Sequence, residues 1–169
     1  MAGYAGSSQP RPNDLSDLSL DRSSQAIRVA LPVSTHYLVL VRQFISSLAQ
    51  QTGFQTSDIA KIELALDEAC ANSIRAIREV EGDNPQTTLK LEVRAVEGCM
   101  SISVYDNGHD FSPQFNSETP MDTLVGSMRT SGYGLRIIKT CMDEVNYQHE
   151  SGKGNVLHLV KRVSTPGAE

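Results

Sequence analysis

The chain has 169 residues, of which 39% are hydrophobic, and a formal net charge of -5 at pH 7. This length suits one domain with a proper core and is too short for two comfortable ones. The acidic balance argues against binding nucleic acid through bulk positive charge, and no apolar stretch approaches the ~20 residues that cross a bilayer.

The ends of the chain differ from its centre in composition. Residues 1–25 combine glycine, proline, serine and aspartate without periodicity, so a disordered N-terminal tail is predicted there, with a short C-terminal tail at 164–169. The N-terminus has no basic-then-apolar signal pattern, and three widely spaced cysteines fit neither a disulfide framework nor a zinc site. We therefore expect a reduced cytoplasmic protein with one ordered domain at 26–163.

The first half of the ordered region predicts one strand and two helices. Alternating apolar residues indicate a strand at 26–31. Ser34 is placed to cap a first helix that ends around Gly53, and Thr56 or Ser57 is placed to cap a second helix with a long apolar stripe.

The second half predicts four strands, a long loop and a third helix. These are strands at 88–96 and 100–105, an irregular loop at 107–131, a helix from the glycines at 132 and 134 to about 142, and strands near 144–149 and 155–163. The order β-α-α-β-β-loop-α-β-β predicts an α+β two-layer sandwich, in which a mixed, mostly antiparallel sheet is covered on one face by helices.

The second predicted helix places a carboxylate and a carboxamide on one face. Glu68 and Asn72 are four residues apart and are surrounded by small side chains. Through their oxygens, such a pair can serve as a general base and a Mg²⁺ ligand. Taken alone, the pair is also compatible with ordinary solvent-facing polar residues.

A second polar segment lies where a predicted strand meets the long loop. Asp106 ends the strand and Gly108 begins the loop. A carboxylate held there could accept a hydrogen bond from an exocyclic amine such as that of adenine. The alternative is a simple Asx turn, because Asp-Asn-Gly is also good turn chemistry.

A glycine pair opens directly into the third predicted helix. Gly132 and Gly134 precede an apolar run at helical spacing. Glycines just before a helix let the backbone approach a ligand, and the first N–H groups of the helix attract an anion such as phosphate. The alternative is a flexible loop that ends where the helix begins.

Together and in this order, these three segments resemble the N-box and the two glycine boxes of the GHKL ATP-binding superfamily, which has the Bergerat fold. Within it, the chain is most similar to the anti-sigma factor serine kinases of the RsbW and SpoIIAB type. That likeness depends on the run at 106–113, on Asp143-Glu144-Val145 after the third helix, and on the closing segment 157–162. It covers roughly residues 26–163.

The resemblance implies a role for each segment. Glu68 would be the catalytic base that takes the proton from a serine of a protein substrate, and Asn72 the Mg²⁺ ligand that bridges to the ATP phosphates. Asp106 would contact adenine, with Gly108 giving the base room, and residues 109–131 would form the ATP lid. The phosphates would be held by the segment Gly132, Tyr133, Gly134 and Leu135.

The implied function is an ATP-dependent serine protein kinase and anti-sigma regulatory factor. It would phosphorylate a STAS-domain anti-anti-sigma partner, bind a sigma factor, and contact neither nucleic acid nor membrane; kinases of this type often dimerise, which leaves a homodimer open. The chain departs from the family pattern at Asp110, where a glycine is usual, and at Ala76, where many relatives have histidine. The alternative is therefore a non-catalytic, nucleotide-gated binding protein.

Overall fold

The computed structural model describes residues 25–108, 131–151 and 154–163. The two predicted tails, nearly all of the predicted lid and Asp110 lie outside these ranges. Within them the chain forms the following elements: β1 (Ile27–Pro32), α1 (Leu38–Gln51), α2 (Thr56–Glu81), β2 (Thr88–Val96), β3 (Cys99–Asp106), α3 (Ser131–Cys141), β4 (Glu144–Glu150) and β5 (Gly154–Arg162). This order of strands and helices is the predicted one.

The five strands form a single sheet in the order β1-β2-β3-β5-β4. All four pairings between these described strands are antiparallel, so the sheet is more regular than the mixed, mostly antiparallel one predicted. The pairing of β3 with β5 sets Asp106 opposite Asn155. Two strand ends that are 49 residues apart in sequence therefore lie side by side at one end of the sheet.

The core lies between the helices and one face of the sheet. Alternate residues of β2 and β3 are buried, as the period of two requires, and α2 contributes its predicted apolar stripe. Cys70 and Cys141 are both buried, where they pack as small hydrophobic side chains. Burial raises the pKa of the Cys70 thiol to about 12. None of the described helices is long and apolar enough to span a bilayer.

The helix starts differ from their predictions. Ser34 caps a short 3-10 turn, and α1 begins only at Leu38. The N-cap of α2 is Gln55, without a side-chain hydrogen bond, so the predicted caps Thr56 and Ser57 were wrong. The Gln55 carbonyl instead accepts the first backbone hydrogen bonds of the helix, and a hydroxyl is not needed there.

The third helix begins earlier than the glycine pattern predicts. Because α3 starts at Ser131, Gly132 and Gly134 lie inside its first turn and not before it. The first four N–H groups of a helix have no acceptor within the helix. The two glycines therefore belong to the donor-rich end itself, which still suits an anion.

The C-terminal end of α3 is tied to the sheet by Asp143 and Lys161. The Lys161 ammonium donates to Asp143 Oδ1 at 2.8 Å, and the Arg162 backbone N–H donates to Asp143 Oδ2 at 2.6 Å. Partial burial raises the pKa of Asp143, but these donors outweigh burial and hold the pKa below its usual value. The stabilisation is therefore present above the pKa of the unfolded carboxyl and is lost as the pH falls through the lower, folded value.

This ion pair predicts unequal effects of its two truncations. The Lys161 side chain is 7% exposed and that of Asp143 is 37% exposed. We expect Asp143→Ala to lower the free energy of unfolding by about 3 kcal/mol, because a buried ammonium loses its partner. Lys161→Met should cost about 1 kcal/mol or less, since water can solvate the remaining carboxylate.

Urea denaturation at pH 7 measures this difference. Asp83→Ala is the control, because the Asp83 carboxylate is 91% exposed and pairs only at the surface with Arg78. Equal losses for Asp143→Ala and Lys161→Met would contradict the account.

Candidate functional site

The polar pair on α2 faces the first turn of α3. Glycine 134 has no side chain, and a Cβ built there would lie 2.6 Å from Glu68 Oε2 and 3.2 Å from Asn72 Nδ2. The missing side chain at Gly134 is therefore what lets the two helices approach at this point. The structure brings together the base and metal ligand expected from the sequence and one glycine of the expected phosphate segment.

The rest of the phosphate segment surrounds this contact. Gly132 shares the first turn of α3 with Gly134. Tyr133 is exposed and Leu135 is half-buried. The segment thus places Gly134 against α2 and the Tyr133 side chain toward solvent.

Asn72 has a cationic neighbour on its own helix. Arg75 donates from Nη1 to Asn72 Oδ1 at 3.2 Å. The same oxygen would have to bind a metal ion, and carboxamide and carboxylate oxygens are ligands that suit Mg²⁺. Asn72 Oδ1 is therefore a suitable ligand for Mg²⁺ once the exposed Arg75 side chain moves aside.

Asp106 is buried at the end of β3 and accepts three hydrogen bonds. Asp106 is 7% exposed. Oδ2 accepts from the Ser73 hydroxyl at 2.8 Å, and Oδ1 accepts from the Gly108 N–H at 2.9 Å and from Asn155 Nδ2 at 2.7 Å. The Gly108 contact is an Asx-type turn, which is the alternative interpretation of this segment; the adenine contact stays a prediction. Three donors fix the orientation of the carboxylate.

Sequence reasoning missed the residues that hold Asp106. Ser73 is buried on the inner face of α2, but its partner could not be inferred from the sequence. Asn155 stands where the alternation of β5 places an inward residue, in line with Leu157 and Leu159. The available signal was a polar residue at an inward-facing strand position. A buried polar side chain needs a hydrogen-bond partner, so this signal predicts a buried partner for Asn155.

Gly108 allows the end of β3 to lie directly on α2. A Cβ at Gly108 would be 2.4 Å from the Cβ of Ala76 and 3.0 Å from Asp106 Oδ1. The small Ala76 side chain leaves the space that this contact fills. Both ends of the candidate site thus lie along one face of α2, which carries Glu68, Asn72, Ser73 and Ala76.

The contact between Gly108 and Ala76 makes a testable pair. Gly108→Ala should lower the free energy of unfolding by about 1–3 kcal/mol, because the new methyl group overlaps Ala76. Ala76→Gly alone should cost about 1 kcal/mol through helix propensity. In the double variant the overlap is removed, so the combined loss should be smaller than the sum of the single losses. Thermal or urea denaturation of all four proteins gives the coupling, and simple additivity would contradict the contact.

Comparison with known proteins identifies the family to which the chain is similar. Residues 31–161 match the family described as Histidine kinase-like ATPase domain. The chain is 27% identical over 138 residues to Serine-protein kinase RsbW of Bacillus licheniformis, a match that covers 79% of this chain and 84% of that protein. It is 30% identical over 135 residues to Serine-protein kinase RsbW of Listeria innocua, covering 78% of this chain and 84% of the relative.

A solved structure supports the fold independently. The chain is similar to the RsbU and RsbW domains of Rv1364c from Mycobacterium tuberculosis, with a TM-score of 0.59 and 19% sequence identity. That match covers 85% of this chain and 34% of the other, so the chain spans about a third of that protein. The family match and the relatives that align over most of their length show the same thing. The chain belongs to the histidine kinase-like ATPase domain family, among its RsbW-type serine-protein kinases.

Proposed function

We propose that this chain is an ATP-dependent serine protein kinase and anti-sigma regulatory factor, which phosphorylates a STAS-domain anti-anti-sigma partner and binds a sigma factor. The observation that carries the proposal is the close approach of Gly134 to Glu68 and Asn72. It joins a donor-rich helix end, a carboxylate and a carboxamide in one place. The relatives named Serine-protein kinase RsbW support the same activity.

ATP would lie along α2, between β3 and α3. The exocyclic amine of adenine would donate to Asp106, whose orientation is fixed by its three donors. The β- and γ-phosphates would be bound by the N–H groups in the first turn of α3, where the helix dipole favours negative charge. Tyr133 and Leu135 would line this phosphate end.

Asn72 would hold Mg²⁺ through Oδ1, after the guanidinium of Arg75 leaves that oxygen. A bound Mg²⁺ would supply positive charge that offsets the negative charge developing during transfer. Arg75 is exposed, so its displacement exposes no buried group. Its cationic end would remain near the phosphates.

Glu68 would act as the general base. Its half-buried carboxylate faces the first turn of α3, where the γ-phosphate would be bound. As the substrate serine oxygen forms its bond to the γ-phosphorus, the bond from that phosphorus to the bridging oxygen breaks and Glu68 takes the hydroxyl proton. The products are ADP and phosphoserine. The added charge would weaken docking of the partner and supply the switch.

The test uses the full chain, Mg-ATP, and STAS-domain and sigma-factor proteins from the same genome. We expect ATP binding by calorimetry, phosphoserine on a STAS protein by mass spectrometry, and nucleotide-dependent capture of a sigma factor. ATP binding with sigma capture but no transfer to any STAS protein would instead favour the nucleotide-gated binding protein. Absence of ATP binding would overturn both functions.

A further inference from the structure

A buried amide next to Asp106 is engaged at both ends. Asn155 is 2% exposed. Its Nδ2 group donates to Asp106 Oδ1 at 2.7 Å and to the Gly108 carbonyl at 3.1 Å. Its Oδ1 lies 2.7 Å from the Tyr147 hydroxyl, which donates to it, and 2.7 Å from His149 Nδ1.

This network fixes which way the amide points. If the Asn155 amide were flipped, its oxygen would face Asp106 Oδ1 and the Gly108 carbonyl, which are both acceptors. In the observed orientation the NH₂ group meets these two acceptors, and the oxygen accepts from Tyr147. Only this orientation satisfies the buried groups.

The backbone brings Asn155 to this position through a glycine. Residue 155 pairs with Asp106 in the β3–β5 register. Gly154 has a φ of +94°, and a Cβ there would lie 2.4 Å from the Asp106 carbonyl oxygen. Both the positive φ and the close approach require glycine at this point. The backbone at the start of β5 therefore holds the Asn155 amide in contact with the Asp106 carboxylate.

The hydrogen bonds to Asp106 leave one acceptor position for a ligand. A carboxylate has about four lone-pair sites, two on each oxygen. The Gly108 N–H and Asn155 Nδ2 occupy both sites on Oδ1, and the Ser73 hydroxyl occupies one on Oδ2. Among the hydrogen bonds of the described residues, one site on Oδ2 is left. A ligand group that meets it must be a donor.

We propose that Asn155, held by Tyr147 and His149, is a positioning residue that directs the remaining acceptor of Asp106 to the ligand and makes the site select a 6-amino purine over a 6-keto purine. This inference rests on the proposed adenine contact and adds the residue that sets its selectivity. Asn155 acts through Asp106 and does not itself touch the nucleotide.

The sharpest variant is Asn155→Asp, which keeps the size of the side chain and replaces the donor with a carboxyl oxygen. Two carboxyl groups at this distance share a proton, so Asp106 Oδ2 carries less negative charge and becomes a weaker acceptor for the ligand's donor group. We expect the affinity for ATP to fall about 10-fold, the effect of one hydrogen bond to a charged group. The affinity for ITP, which has a 6-keto group, should fall much less, so that the ATP-to-ITP ratio drops.

Two further variants keep the test decisive. Tyr147→Phe removes one hydroxyl from Asn155 Oδ1 and should lower the ATP-to-ITP ratio in the same direction by about 3-fold; it decides the matter if Asn155→Asp does not fold. Asn146→Asp makes the same chemical change at the neighbouring β4 position, which points to the opposite face of the sheet. This control should leave both affinities unchanged.

Calorimetric titration of each full-length protein with Mg-ATP and Mg-ITP gives the result. A lower ratio in Asn155→Asp and Tyr147→Phe, with the ratio unchanged in Asn146→Asp, is expected. Equal loss of affinity for both nucleotides, or no loss, in a folded Asn155→Asp protein would overturn the positioning role while leaving the kinase proposal intact. If the unaltered chain bound neither nucleotide, the proposed function itself would fail.

Discussion

Replacing Glu68 by glutamine is expected to slow phosphotransfer severely while ATP binding persists. The amide keeps the shape of the side chain beside Gly134 but cannot take a proton from the serine hydroxyl. General-base catalysis contributes typically 10²- to 10⁴-fold, so the transfer rate should fall by about three orders of magnitude. Single-turnover transfer from Mg-ATP to a STAS-domain substrate measures it, with calorimetry reporting the unchanged affinity for ATP.

Glu79→Gln is the matched control for this variant. Glu79 lies on the same helix and is exposed, about three turns beyond Glu68, so the same change there should leave the rate unaltered. A Glu68→Gln protein that transferred phosphate at the normal rate would show that another group is the base. A protein that lost ATP binding as well would show that Glu68 serves the nucleotide and not the proton.

Gly134→Ala should separate stability from activity. In a helix, alanine is favoured over glycine by about 1 kcal/mol, so the fold should be as stable as before or slightly more stable. The new methyl group would, however, lie 2.6 Å from Glu68 Oε2 and 3.2 Å from Asn72 Nδ2. Both side chains must move, and a misplacement of about 1 Å can lower a rate by about 100-fold. Thermal denaturation and single-turnover transfer measure the two effects.

The control for Gly134→Ala is Thr140→Ala, on the exposed side of the same helix. The Thr140 hydroxyl donates to the Arg136 carbonyl one turn earlier, so its loss should leave transfer intact. If Gly134→Ala left the transfer rate unchanged, the close approach of the two helices would not be what positions the catalytic pair.

Much of the fold could be predicted because local signals agreed with the tertiary structure. β2 was predicted at 88–96, where the structure has it, since its alternation is clean and turn residues flank it on both sides. Helix starts were less predictable. The backbone carbonyl of Gln55 accepts the first hydrogen bonds of α2. A helix start of this kind does not depend on the side chain, so the sequence does not predict it.

The candidate site could be predicted only in part. Glu68 and Asn72 could be paired from their spacing on one helix. Gly108 could be identified from its place just after Asp106, and Gly134 from its place before an apolar run at helical spacing. The donors to Asp106 could not, because Ser73 and Asn155 are 33 and 49 residues away from it in sequence. Their meeting depends on strand register and on how α2 packs against β3, which are properties of the whole fold.

The central claim is that one ATP molecule bridges β3 and α3 along the face of α2 that carries Glu68 and Asn72. A crystal structure of the chain with Mg²⁺ and a non-hydrolysable ATP analogue tests it most directly. The account predicts the adenine amine on Asp106 Oδ2, the β- and γ-phosphates at the first turn of α3, and Mg²⁺ on Asn72 Oδ1 with Arg75 displaced. A nucleotide bound away from Asp106, or phosphates remote from Gly134 and Glu68, would contradict it.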